Sequence, residues 1–353
     1  MPRLLFIAFI LCALAAPAEL SAQAAEPLLP KDDRAVFAAA APLYDLSAPS
    51  LKPWRLKASY QLYNEAGAPT EKGTYEYWWA SPAVYRSSWT RSGVTHTDWH
   101  TADGKHAYLA SGGPLEYFEF NLQSSLLTPL PDEANLDPTK FRLQRESIKV
   151  GDVKLPCIMV VPLMPQHGQL QQVPLGLFPS YCFDPRQPVL RLEYSWGSVS
   201  TEFSHIVKMQ GRYFSRQVDL YEGTRKLLTA TVDEIAGMSS VDPALVPPPN
   251  ALGIKQESAQ VSQAVSQGFL IKKQVPIYPQ DAKDARVEGK VVLHATIGLD
   301  GGVHDLHVVE APWPSLVASA LWAVSHWQYK PYLLNGEPVN VETTVNVIYS
   351  LGQ

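Results

Sequence analysis

From Trp54 to about Ile235 apolar and polar residues alternate at a period of two, and no long helical pattern interrupts the run. Leu56, Ala58, Tyr60 and Leu62 share one face of a predicted strand, with Lys57, Ser59 and Gln61 on the other. Similar runs cover residues 74–79, 84–89, 94–99, 105–109, 158–161, 189–194, 201–208, 212–220 and 226–235. Glu65-Ala66-Gly67, Ser81-Pro82, Asp103-Gly104, Ser111-Gly112-Gly113 and Glu222-Gly223 supply turns between them. Connections this short require antiparallel pairing, because a parallel pair needs a crossover of a dozen or more residues. The expectation over residues 54–240 is one large, strongly curved antiparallel sheet with an apolar concave face.

The first residues carry a different signal. Arg3 is a short basic start, Leu4 to Ala16 is almost wholly apolar, and Ala22-Gln23-Ala24 has the A-x-A form. That order is a secretory signal peptide, expected over residues 1–24, and the apolar run is shorter than a spanning helix needs. The implied location is the periplasm, with an inner-membrane anchor as the alternative if the signal stays uncleaved. Residues 25–53 form an Ala- and Pro-rich segment in which Asp32 or Asp33 can cap a short helix running through Ala41. Removal of the signal leaves Cys157 and Cys182, an even pair in an oxidising compartment, which reads as a disulfide. Its loop of about 25 residues is worth on the order of 3 kcal/mol in the chain-entropy model.

Near Val241 the composition changes. Asp242-Pro243 and Pro247-Pro248-Pro249 are unsuited to a sheet, and a polar stretch follows, so residues 241–270 read as a linker. Beyond it, Val291, Leu293, Ala295 and Ile297 share a strand face, Asp300-Gly301-Gly302 turns the chain, and Val303 to Val309 returns. A helix begins at Pro314 or Ser315, with Val317, Ala320, Leu321, Val324 and Trp327 on one stripe. Asn335-Gly336 is another turn, and Val341, Thr343, Val345, Val347, Tyr349 and Leu351 alternate along a final strand. The order strand, strand, helix, strand gives one main helix on a three-stranded antiparallel sheet over residues 271–353. The fold class expected is therefore mainly β followed by a small α+β domain.

The pieces Tyr278-Pro279, Ala282, Gly289-x-Val291, Asp300-Gly301-x-Val303, Ala320, Ala323-Val324, Trp327-x-Tyr329-x-Pro331 and Gly336-x-Pro338-Val339 occur in order. Through them the segment resembles the C-terminal domain of the TonB family of energy transducers. The resemblance implies binding to an outer-membrane transporter or another periplasmic protein, and possible energy-coupled transport. The final strand is expected at the edge of its sheet, accepting a partner segment, with Val341, Glu342, Thr344, Asn346 and Ile348 as the partner-binding residues, the alternative being a strand that completes the fold and is capped by the chain's own linker. The stretch 54–240, rich in Trp and Tyr, resembles in architecture the periplasmic lipoprotein-carrier half-barrel, an ordinary β-sandwich or barrel being the alternative. That resemblance implies a lipid- or lipoprotein-carrying role for the β domain.

Other chemistry is sparse. With 29 Lys and Arg against 34 Asp and Glu, and no basic run, nothing attracts nucleic acid. No nucleophile elbow, phosphate loop or metalloprotease helix motif is present, so no catalytic residue is assigned and an enzyme is not expected. His96, Asp98 and His100 would share one strand face, with His106 close by, but the alternation with Thr95, Thr97 and Trp99 fits a solvent-facing strand, and no metal or cofactor is assigned. His304 and His307 would point to opposite faces. Of Trp78 and Trp79, adjacent on one strand, one belongs to the core and the other to the opposite face. N-terminal sequencing of the exported protein should begin at or next to Ala25; a chain retaining Met1 to Ala24 would instead support the anchored form.

Overall fold

The computed structural model describes residues 28–112, 115–131, 136–163, 173–195, 199–254, 258–299, 301–334 and 337–352. The expected signal sequence, Asp300 and the Asn335-Gly336 turn lie outside the described residues.

Helix α1 (Asp33–Tyr44) starts at its predicted cap: Asp32 is extended, and its carboxylate accepts the Ala35 amide at 2.8 Å. Val36, Phe37, Ala40 and Tyr44 are its buried stripe. Phe37 meets Tyr181 and Phe183 edge-on, at centroid distances of 5.5 and 5.9 Å. Strands β1 (Trp54–Tyr63), β2 (Pro69–Ser81), β3 (Val84–Arg91), β4 (Val94–His100) and β5 (His106–Ser111) follow. After helix α2 (Tyr117–Leu127) come β6 (Phe141–Val150), β7 (Val153–Pro162), β8 (Ser180–Phe183) and β9 (Leu190–Tyr194). Strands β10 (Val199–Met209), β11 (Arg212–Glu222) and β12 (Arg225–Gly237) complete the β domain, and β13 (Leu252–Ile254) comes from the linker. Together they make a 13-stranded sheet in the order β13-β5-β4-β3-β2-β1-β12-β11-β10-β9-β8-β7-β6. It is antiparallel throughout, curved and open, as the alternation requires.

The concave face carries the core. Trp54, Leu56, Tyr75, Tyr77, Trp79 and Trp89 from one side share a cluster with Ile158, Tyr181, Phe183 and Leu220 from the other. Trp79 is in that core, and Trp78 faces the opposite way, where Arg86 lies 4.2 Å from its ring and 5.6 Å from that of Trp99. Cys157 and Cys182 stand opposite each other on β7 and β8 and are bonded, with Cα atoms 3.9 Å apart, beside Leu155 and Leu192.

Helix α2 is absent from the sequence reading. Its apolar residues fall all round it rather than on one stripe, so no helical period shows. Glu119 ties it down. This residue is fully buried; Tyr60 donates its hydroxyl to Oε1 at 2.7 Å, and Arg91 Nε donates to both carboxylate oxygens at 3.1 and 3.3 Å. The other oxygen accepts the Glu116 amide at 2.8 Å, closing a capping box, and the Trp89 indole donates to the Glu119 carbonyl. Gly73 makes room for this, since a Cβ there would lie 2.1 Å from the Tyr60 ring.

The linker differs from expectation too. Its prolines stay out of the sheets, but residues that follow them join both. β13 pairs with β5, and β14 (Ala259–Gln260) pairs with the last strand of the chain. Ahead of both, a 3₁₀ turn, Pro243–Leu245, receives the Trp99 indole N–H on the Ala244 carbonyl at 3.0 Å. The prolines, Pro243 and Pro247 to Pro249, come first, and the sheet segments follow them.

After β14 come α3 (Gln263–Gln267), β15 (Leu270–Lys272), α4 (Gln280–Asp284), β16 (Gly289–Ile297), β17 (Val303–Glu310), α5 (Pro314–Ser325), β18 (Gln328–Tyr329), β19 (Tyr332–Leu334), β20 (Glu337–Val339) and β21 (Val341–Tyr349). The sheet order is β14-β21-β16-β17, so the predicted antiparallel trio gains one parallel strand. Helix α5 buries Leu316, Val317, Ala320, Leu321 and Val324 against Val291, Leu293, Val345 and Val347. Gly301 is needed in the β16–β17 turn: its φ is +79°, and a Cβ would lie 1.9 Å from the Tyr329 carbonyl oxygen. No helix among the described residues is long and apolar enough to cross a membrane.

Removing one partner of a buried ion pair typically costs about 3–5 kcal/mol. Glu119→Ala should therefore lower unfolding free energy by about that amount in urea titrations, and a loss below about 1 kcal/mol would show that α2 is held by its apolar side chains alone.

Candidate functional site

Two places can meet another molecule. The first is the outer edge of β21. Val341, Thr343, Val345, Val347 and Tyr349 are buried toward α5, as the alternation predicts. Of the five predicted partner-binding residues, Val341 is buried at 2 %, so its side chain is unavailable. Glu342 and Asn346 are half-buried, while Thr344 and Ile348 are exposed, Ile348 at 75 %. The strand is not a bare edge. The linker covers its start: Ala259 and Val261 donate their amides to the carbonyls of Asn340 and Glu342, at 2.8 and 3.1 Å. The Glu342 carboxylate accepts from Ser258 Oγ at 2.8 Å and from the Gln260 side-chain amide. Further along, Gln263 stands in for a strand. Its Oε1 accepts the Asn346 backbone amide at 3.2 Å and the Asn346 side chain at 2.6 Å, and its Nε2 faces the Asn346 carbonyl at 3.4 Å. The residues whose amides face outward, Glu342 and Asn346 among them, are thus the ones the linker meets. Thr344 and Ile348 alternate with them on the same side and lie beyond the two-residue β14 bridge.

The second place is a cavity of about 720 Å³ on the concave face of the half-barrel. Trp79, Tyr85, Trp89 and Leu127 line its apolar part, and Leu299 and Asn340 of the C-terminal domain also line it. His96, Asp98, His100 and His106 also line it, so the strand face read from sequence as solvent-facing points inward. The β4–β5 turn places these groups. Gly104 at φ +75° and the Thr101–Lys105 backbone bond set a register that puts His100 opposite His106 and Asp98 opposite Tyr108. Tyr108 and His96 Nδ1 share a hydrogen bond of 2.7 Å. Burial, reinforced by the neighbouring His100, lowers the pKa of His106. The side chains of His304 and His307 lie outside the described residues.

Sequence reasoning missed other charged groups. Glu193 lies on the concave side between Tyr181 and Thr201, and burial pushes its carboxyl up to about 7. Glu222, at the end of β11, faces His326 of the C-terminal domain at 3.3 Å. His326 first, then Arg225, holds the Glu222 carboxyl down at about 2. Lys272 reaches Glu116 at 3.2 Å, and the Gln328 amide donates to the Leu115 carbonyl at 3.1 Å. No local motif marks these pairs, because their partners are far apart in sequence.

By architecture the chain is an open antiparallel half-barrel joined to a small domain of strand-strand-helix-strand order. Residues 274–351 match the family described as Gram-negative bacterial TonB protein C-terminal. Among solved structures, the TonB C-terminal domain of Pseudomonas aeruginosa is 25 % identical, covers 24 % of this chain and 86 % of its own, and has a TM-score of 0.22. A LolA superfamily protein of Nitrosomonas europaea is 5 % identical, covering 61 % and 97 %, with a TM-score of 0.37. A domain of Vibrio parahaemolyticus described as a putative outer membrane lipoprotein-sorting protein is 7 % identical, covering 55 % of this chain and 88 % of its own, with a TM-score of 0.33. The curated proteins contain no match.

The depressed Glu222 carboxyl contributes stability that is complete above its ordinary value of 4.5 and is lost as pH falls toward about 2. Denaturant midpoints measured across that window should fall in the parent and fall less steeply in His326→Gln. Equal slopes would show that the contact between the two domains does not depend on this pair.

Proposed function

We propose that this chain is an exported, non-enzymatic binding protein of the periplasm. Its C-terminal domain takes an extended segment of a partner protein, of the outer-membrane transporter kind or another periplasmic protein, on the outer edge of β21. The observation that carries this reading is the provisional way the edge is filled. Two linker residues and one glutamine side chain meet backbone groups that a full strand would otherwise pair. The bridge is parallel, the less stable orientation per residue, and a longer segment gains more bonds than it displaces. The family match over residues 274–351 supports the same reading.

The test is binding of the mature protein to synthetic peptides from transporter N-termini. Gln263→Ala should raise affinity several-fold by freeing the edge. Asn346→Pro should abolish binding, because its amide faces outward and belongs to the edge rather than to the β16 ladder. A folded Asn346→Pro protein that binds like the parent refutes strand addition here.

A second reading draws on the cavity, whose Trp79, Tyr85, Trp89 and Leu127 suit an apolar ligand. In it the β domain carries a lipid or lipoprotein acyl chain, and the C-terminal domain docks the carrier. Lipid found by mass spectrometry in protein purified from the periplasm would favour it; none, together with peptide binding, would leave the partner-binding reading alone.

A further inference from the structure

We infer that Asp98, His100 and His106 form a binding site for a divalent transition-metal cation, with an open coordination position facing the cavity. The donor atoms of the three side chains lie within 4.8 Å of one another, one nitrogen or oxygen from each. They converge because the backbone makes them. His100 and His106 are direct cross-strand neighbours, a placement that brings Cβ atoms to about 4.5–5.5 Å, and Asp98 precedes His100 by two residues on the same face. The five-residue connection between the histidines is fixed by its own backbone bonds, so the pair is held before any cation arrives.

The distances suit a cation. Zinc takes nitrogen and oxygen donors at about 2.0–2.1 Å, which puts the edges of a tetrahedron at roughly 3.3 Å. His100 Nε2 and Asp98 Oδ2 already stand 3.2 Å apart. The His100 and His106 ring centroids are 3.6 Å apart, so small rotations bring the third donor in. Tyr85 stacks on His100 with centroids 3.8 Å apart and planes 19° from parallel, fixing the ring that lies between the other two donors.

A second observation points to a missing positive charge. Asp98 Oδ1 is buried and has no hydrogen-bond partner among the described residues. A carboxylate oxygen taken from water with no donor is costly, and such groups are paired or coordinate metals. The only ion-pair partner of Asp98 among the described residues is His100, itself one of the three donors. Arg86, next to Ser87 on β3, points to the opposite face between Trp78 and Trp99 and supplies no compensation.

Two imidazoles and one carboxylate are a borderline donor set, suited to Zn²⁺, Co²⁺, Ni²⁺ or Cu²⁺ rather than to Ca²⁺ or Mg²⁺. Three protein donors leave at least one position free, and all three line the cavity, so that position opens inward. A water, or an oxygen, nitrogen or sulfur donor of a small ligand held between Trp79 and Leu299, would complete the shell.

The experiment uses the full mature chain, stripped with a chelator and titrated with Zn²⁺ against a chromophoric competitor, and with Co²⁺ by absorption spectroscopy. The expected result is one equivalent bound, with the intense bands of four- or five-coordinate cobalt and a further change on adding thiocyanate. Asp98→Asn, isosteric with the parent, and His106→Ala should each weaken Zn²⁺ by more than the roughly 10–100-fold that loss of an outer-shell partner costs. His205→Ala, at an exposed histidine on β10, should leave affinity unchanged. Parent affinity no higher than that of the folded Asp98→Asn protein overturns the proposal. So does the weak spectrum of octahedral aqua-cobalt in the parent, which decides the matter even if both variants misfold. Four-coordinate cobalt indifferent to thiocyanate would refute the open position.

Discussion

A sheet that curves without closing has an apolar concave face that must be covered, and the rest of this molecule is arranged around that need. Helix α1 covers the part under β6–β11, through Phe37 on Tyr181 and Phe183. Helix α2 covers the part under β11 and β12, and the buried Glu119, held by Tyr60 of β1 and Arg91 of β3, fixes where it lies. The charge is tolerated because Tyr60, Arg91 and the Glu116 amide satisfy it; without them it would push the helix off the sheet. What the two helices leave uncovered is the aromatic cavity, which Leu299 and Asn340 also line. The cavity is thus a remainder of the same covering problem, and the C-terminal domain is one of its walls.

The linker turns two folding units into one. Its 3₁₀ turn is fastened to Trp99, its β13 then extends the half-barrel, and its β14 extends the smaller sheet. Each attachment is short, two or three residues. The Glu222–His326 and Glu116–Lys272 pairs add contacts between the domains that do not depend on the linker. Met159, Val161 and Phe178 of the half-barrel share an apolar cluster with Leu316 and Val317 of the C-terminal domain, so the contact has a hydrophobic part as well.

Much of this was legible in the sequence, for a definite reason. Period-two alternation declares a strand and its two faces, so β1 to β4, β10 to β12 and β21 could be read directly, and the capping carboxylate of Asp32 marks α1. Alternation does not say which face is inside. His96, Asp98 and His100 were correctly grouped on one face, and only the curvature of the whole sheet shows that this face lines a cavity. Helix α2 escaped because apolar and polar residues are mixed round Tyr117 to Leu127 with no apolar stripe, and its anchors, Tyr60 and Arg91, come from β1 and β3. The linker escaped because prolines dominate its composition, while the residues that pair, Leu252 to Ile254 and Ala259-Gln260, are too few to show a period. The edge of β21 was read as a place for a partner strand or for the chain's own linker; which linker residues reach it, Ala259 to Val261 and Gln263, carries no local signature.

The glutamine on Asn346 has a consequence for selectivity. A tethered occupant acts at an effective concentration set by its tether, of millimolar order for a short one. Any free segment reaching β21 competes against that standing concentration, however dilute the protein. Weak, generic β-strands, the kind that seed edge-to-edge aggregation, are held off, and only a segment whose affinity exceeds the threshold gains the edge. The same tether returns to the edge unaided when the visitor leaves, so the surface is never left bare for long.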